Sequence, residues 1–442
     1  MKKRNLSWVL VLVLCCCVTA QAETCWEEHD GITFFEESGK IGWYCEKEYK
    51  QNAVFDAVLP FVGEWAVIRQ GEYWGMADRT GNYAIAPIWS GIRLSRQFAE
   101  DHLVFCYNES MAQIIKLPEG NVIYRGDPSE IFYGAEGGIV LVSMQGNAWR
   151  AVDMLGQVLF ELEADALYAC GNNYYNVCLP DGENALLDTS GRIFPNSVSQ
   201  FCSAIDENRA VKWDTEKSSD GIWTKRVCLL DEAGNILQAY ENIQEVHAWL
   251  ENHWWHVCSD SRIAVKVDDL WGYLNENGKM VIEPAWEEAQ AFSCGLAAVK
   301  KSGKWGYIDR EGNTVVPFQF DEAVPYVENV ARVWIDDGAA MICRFIDLEG
   351  NFIGSVYDFA DDYCMGTASV LKDDEAFMVD ENGRRLWNEK RPYTTIYRYG
   401  DEYPGLWVAY DEEKEQDYFL DEHGKVLCPF EPWEDDTDYE TL

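Results

Sequence analysis

The most ligand-like cluster in this sequence is His253-Trp254-Trp255-His256. On a strand, residues three apart point to opposite faces, so these two imidazoles do not converge on one metal ion. Acidic runs begin at Asp373, Asp411 and Glu434, and none has the spacing of an EF-hand or a calcium-binding nonapeptide. Calcium is therefore expected at most as a stabilising ion. Two carboxylates are enough for glycoside hydrolysis, but with 76 Asp and Glu in the chain nothing singles out a pair. The signatures of serine hydrolases, dinucleotide binders, zinc proteases and P-loops are all missing. The 15 cysteines include no C-x-x-C pair. Most fall in apolar runs, where a thiol behaves as a small buried hydrophobe, and Cys25–Cys45 is the one candidate bridge. No catalytic residue, cofactor or metal ligand is assigned.

What the sequence does contain is punctuation. An Asp-x-x-Gly turn recurs at Asp78–Gly81, Asp153–Gly156, Asp188–Gly191, Asp231–Gly234, Asp309–Gly312, Asp347–Gly350, Asp380–Gly383 and Asp421–Gly424. Asn275–Gly278 is a variant, and Glu36–Gly39 and Leu117–Gly120 are weaker copies. Successive glycines lie 33 to 44 residues apart, too even a spacing for chance. Apolar residues alternate on either side of each turn, the period of a strand. An Asp at the first turn position accepts backbone N–H groups, and Gly then takes the left-handed conformation that closes a hairpin. In the copy from Lys301 to Ala323, the return strand is expected at Thr314–Val316, with Pro317 ending its pairing. Each unit thus supplies three or four short antiparallel strands, and stacked neighbours share a core.

The best copies carry a further pattern, "SGKWGYIDREGNTVVPFQFDEA" from Ser302, "LWGYLNENGKMVIEPAWEEA" from Leu270 and "YWGMADRTGNYAIAPIW" from Tyr73. These resemble the WG-repeat family. The resemblance implies a tandem β-repeat scaffold of bacterial, exported proteins and supplies no catalytic residues. The repeat positions are Trp74, Gly75, Asp78 and Gly81, then Trp271, Gly272 and Gly278, then Trp305, Gly306, Asp309 and Gly312. Trp305 is expected to plug the gap between units, and Gly306 to permit close backbone approach.

The expected fold is all-β: tandem antiparallel β-meander or hairpin repeats of about 38 residues over 23–430. They would form an open solenoid-like or propeller-like array, or one or two closed β-propellers, eleven units being more than the usual ring holds. Residues 1–22 read as a signal peptide, with Lys2, Lys3 and Arg4 before an apolar stretch and cleavage after Ala22. Residues 431–442 read as an acidic tail. A secreted or cell-surface location is expected, without a membrane span or lipid anchor. The net charge of −40 disfavours nucleic acid and anionic lipid as partners. Tryptophans off the repeat pattern, Trp26, Trp249, Trp254, Trp255, Trp387 and Trp433, are the candidates to face outward toward a protein or glycan. The leading expectation is a non-catalytic binding scaffold. A secreted, glycosidase-like hydrolase and a calcium-stabilised extracellular array are the alternatives.

Overall fold

The structure is a computed structural model. It describes residues 24–430 apart from 47–48, 96–97, 137, 170–173, 207–208, 218–222, 232, 248, 252–253, 257, 401–402 and 404. The leader and the acidic tail lie outside the described residues, as does His253.

Eleven small antiparallel sheets stand in a ring, an eleven-bladed β-propeller. The blades cover 24–55, 57–89, 91–126, 131–163, 166–188, 201–243, 245–286, 288–320, 322–357, 359–380 and 393–430. Each has four strands in sequence order, except the fifth and tenth, which have three among the described residues. One two-stranded hairpin, Trp249–Glu251 with Trp254–His256, is inserted in blade 7. One short helix, Phe98–Asp101, is inserted in blade 3. The ring, rather than the open array, is thus the architecture formed.

The turns work as their residue types require. Gly312 donates its N–H to the Asp309 carbonyl at 3.0 Å, while Asp309 Oδ1 accepts from Glu311 and Asn313 at 3.0 and 2.8 Å. Burial works to raise the Asp78, Asp188 and Asp309 carboxyls, but hydrogen bonds from the turn outweigh it and hold all three below the usual range. Ten of the eleven turns come directly after the third strand of a blade. Glu36–Gly39 instead joins the second and third strands of blade 1. The paired acids at Asp268–Asp269 and Asp373–Asp374 also belong to second-to-third turns, with positive φ at both residues of each pair.

Pro317 does not end its strand, which runs Thr314–Phe320. Tyr307 faces Val316 and Trp305 faces Phe320, so the fourth strand carries extra residues between those pairs. The resulting bulge uses Pro317, which has no N–H to pair, and presses on the third strand at Gly306. A Cβ there would lie 2.7 Å from the Val316 carbonyl oxygen; Gly75 and Gly272 face their own bulges at 2.6 Å.

Blades join through buried hydroxyls. Tyr273 OH donates to the Gln290 carbonyl of the next blade and Tyr307 OH to that of Val324, both at 2.8 Å. Burial raises both phenols, keeping them neutral donors. Trp305 shares a buried cluster with Ala323, Tyr326 and Val333 of the following blade, and Trp271 shares one with Ala289 and Phe292.

Gly306→Ala is expected to destabilise the protein by on the order of 1–3 kcal/mol by overpacking, and Tyr307→Phe by about 1 kcal/mol through the unmet Val324 carbonyl; denaturant unfolding measures both. Because the depressed Asp309 pKa contributes stability above the ordinary value of 3.8 that is lost as pH falls through the folded value, Asp309→Asn should flatten the acid limb of the stability curve. Asn275 already caps its turn without a charge, accepting from Asn277 and Lys279 at 3.0 and 2.9 Å.

Candidate functional site

Each blade is built from strands close together in sequence, so among the described residues no sheet mixes the two ends of the chain. The ring must close between blades 11 and 1 by contacts other than a shared strand. At that seam the Asp421–Gly424 turn of blade 11 differs from its relatives. In the turns at Asp231, Asp309 and Asp347 the fifth residue is Asn, whose amide donates to the second carboxylate oxygen at 3.0 Å. Here the fifth residue is Lys425, and Asp421 Oδ2 instead meets His29 Nδ1 of blade 1 at 3.0 Å. Asp421 Oδ1 keeps its two turn amides, His423 and Lys425, at 2.9 and 2.8 Å.

The Asp421 side chain is 1% exposed and that of His29 36%. The hydrogen bond to Asp421 raises the His29 pKa against the opposing effect of burial. Burial pushes Asp421 upward, but the His29 and backbone hydrogen bonds hold it below the usual carboxylate range. Each member of the pair thus favours the charged form of the other. Around it, Glu27 N–H donates to the Val426 carbonyl at 2.9 Å and Lys425 Nζ to the Glu28 carbonyl at 3.2 Å. A buried cluster then continues from Ile32, Phe34 and Trp43 of blade 1 to Phe419, Leu427 and Phe430 of blade 11.

A cavity of about 200 Å³ opens beside the pair, lined by His29, Asp421 and Glu422 on its polar side and by Phe61, Tyr403 and Leu406 among its apolar walls. The next seam, between blades 1 and 2, is clamped by Arg79. It donates to the Asp30 carbonyl at 2.7 Å and the Gly63 carbonyl at 2.9 Å and pairs with the Asp30 carboxylate. Arg310 repeats the device between blades 7 and 8, 2.7 Å from Asp260. Glu328 of blade 9 similarly accepts the Met365 and Gly366 amides of blade 10, both at 2.8 Å.

The repeat residues singled out by sequence lie elsewhere. Trp74, Trp271 and Trp305 are each 7% exposed, opposite Trp89, Trp286 and Phe320. A cation from the second strand lies over each indole: Arg69, Lys266 and Lys300 at 5.6, 6.0 and 5.7 Å. Gly75, Gly272 and Gly306 face bulges, while Asp78, Gly81, Gly278, Asp309 and Gly312 build turns, and none of these lines the cavity. Trp387 is buried, against the expectation that it faces outward, and Trp26 packs half-buried at the seam. Trp433 lies outside the described residues, and of the side chains of Trp249, Trp254 and Trp255 nothing is described. Cys25 and Cys45 stand on strands that flank a common neighbour, offset by three residues along it and so roughly 14 Å apart, too far for a bridge. His29 carries no local sequence signal, since its partner is 392 residues away.

His29→Ala should cost about 1 kcal/mol, a part-exposed hydrogen-bonded pair being partly screened. Limited proteolysis should then cut first at the blade 1–blade 11 junction, whereas Arg310→Ala should leave that junction protected.

A family model described as "WG containing repeat" matches residues 271–305 and 305–337. A comparison with curated proteins finds no significant match. Among solved structures, the chain is similar to one described as the eukaryotic initiation factor, at 12% identity and a TM-score of 0.45, over 74% of this chain and 95% of that one. It is also similar to BamB from Moraxella catarrhalis, at 10% identity and a TM-score of 0.31, over 73% and 92% of the two chains. Kluyveromyces lactis Hsv2 matches at 9% identity and a TM-score of 0.29, over 66% and 94%. At these scores the likenesses carry no argument about function. The matched units run from Trp271 to Trp305 and onward, so each sequence repeat begins on the third strand of one blade and ends in the next. Two adjacent WG repeats thus lie at residues 271–337, within a ring of eleven blades.

Proposed function

We propose that the protein is an exported, non-catalytic scaffold that binds a protein partner along the rim of its blades. The observation that carries this reading is a recurring line of exposed apolar side chains on fourth strands. Val54, Tyr83 and Ile88, Val122, Val158 and Leu159, Ile236 and Leu237, Val281, Val315 and Phe352 continue it from blade to blade. These strands end their sheets, so each presents an unpaired backbone edge as well. An apolar edge strand is the surface that strand addition by another chain uses, the backbone supplying affinity and alternate side chains supplying specificity. The side chains are mostly aliphatic, which suits a protein partner better than stacking on sugar rings. With a net charge of −40, that partner is neutral or basic. Export rests on the leader-like residues 1–22.

The test is capture from cell-surface extract by the purified protein and by a Val158→Glu, Ile236→Glu, Phe352→Glu variant. Wild type should retain a discrete protein that the variant loses, with the two melting within a few degrees of each other. The reading fails if both retain the same set, if a glycan is the ligand retained, or if the protein turns over a panel of glycosides, peptides or esters.

A further inference from the structure

We propose that the seam between blades 11 and 1 is a binding site for a divalent transition metal of the zinc class, with His29, Asp421 and Glu422 as ligands and His423 as a fourth donor. One donor atom from each of the first three residues lies within 4.8 Å of the others. With ligand bonds of about 2.0–2.2 Å, a tetrahedral site has donor–donor edges of roughly 3.3–3.5 Å. The His29–Asp421 separation of 3.0 Å is slightly under that edge, and the 4.8 Å outer limit of the group is more than an ångström over it. Rotamer adjustment of the half-buried Glu422 and His29 side chains therefore brings the donors to binding distance, and the adjoining cavity, about 200 Å³ and lined by the same three residues, leaves room for it.

The ligands are also held as a metal site requires. Asp421 is fixed by two turn amides on Oδ1, which leaves Oδ2 aimed across the seam. The His29 backbone exchanges both hydrogen bonds with Ile32, at 2.9 and 2.8 Å, so the imidazole is carried by a closed turn. His423 Nε2 lies 3.7 Å from Glu422 Oε1 on a mostly exposed side chain, close enough to join the group by rotation. Imidazole nitrogen mixed with carboxylate oxygen suits zinc, cobalt, nickel or copper, whereas calcium and magnesium take oxygen ligands. The site thus differs in kind from the calcium array considered from sequence. Its consequence is mechanical: an ion held by blade 1 and blade 11 together clips the ring where no strand does.

The experiment is calorimetric titration of untagged, chelator-stripped full chain with Zn²⁺, followed by thermal melts with Zn²⁺ or Ca²⁺. One ion per chain is expected, with a melting temperature raised by Zn²⁺ and unmoved by Ca²⁺. His29→Ala and Glu422→Gln should each weaken binding on the order of tenfold or more. Co²⁺ should give the visible bands of a tetrahedral site, lost in His29→Ala. Because His29→Ala also removes the ion pair, Glu422→Gln is the control for folding and should melt like wild type in chelator. The proposal is overturned if Zn²⁺ does not bind, if Glu422→Gln and His29→Ala bind it as wild type does, or if Ca²⁺ raises the melting temperature equally.

Discussion

In most blades a turn glycine rests against the fourth strand of the blade before it, and that contact sets the step from one blade to the next. Gly312 has a φ of +86°, and a Cβ on it would sit 3.3 Å from Ile282 of the preceding blade. Gly350 repeats the arrangement against Val316 at 2.7 Å. Two demands fall on one residue: a left-handed backbone that only glycine adopts without strain, and no side chain at the interface. Because nearly the same contact recurs around the chain, nearly the same angular step recurs, and eleven steps complete a turn. A blade alone has too little interior to be stable, so the step and the shared core between blades form together.

The sequence repeat straddles the blades, which explains why its residues cluster at interfaces. A unit beginning at Trp271 contains the third and fourth strands of one blade and the first two of the next. The Tyr273 hydroxyl and its acceptor Gln290 therefore lie within one unit, as do Tyr307 and Val324. Trp and Tyr divide the work: the indole fills the shared core beneath a second-strand cation, and the phenol ties one backbone to the next. Blades 11 and 1 do not share a unit of this kind. The His29–Asp421 pair and the apolar cluster spanning both ends take its place. A turn whose aspartate holds its own fifth-residue Asn at Asp231, Asp309 and Asp347 reaches across the seam instead, to His29.

How much of this was legible depended on whether the physics was local. The turns were, because Asp and Gly act within four residues, and their spacing gave both strand content and unit count. Glu36–Gly39 shows the limit: its glycine does close a hairpin, but between the second and third strands, since any tight turn with a positive φ favours the same residue. Pro317 misled for a related reason, as a proline that breaks pairing and one that sits in a bulge look alike until the partner strand is placed. Trp387 was expected outside because it lies off the pattern, yet it is buried beside Tyr393. Ring closure was the least legible feature. It joins residues nearly four hundred positions apart, and the closing angle is a sum of small steps that no single motif records.

Small-angle X-ray scattering from the monomeric protein tests the closed ring most directly. A scattering profile of a compact, flattened ring, with a pair-distance distribution that falls to zero at the diameter of the eleven-bladed structure, is the predicted result. A longer maximum dimension with the profile of an open arc, its first and last blades apart, would contradict it.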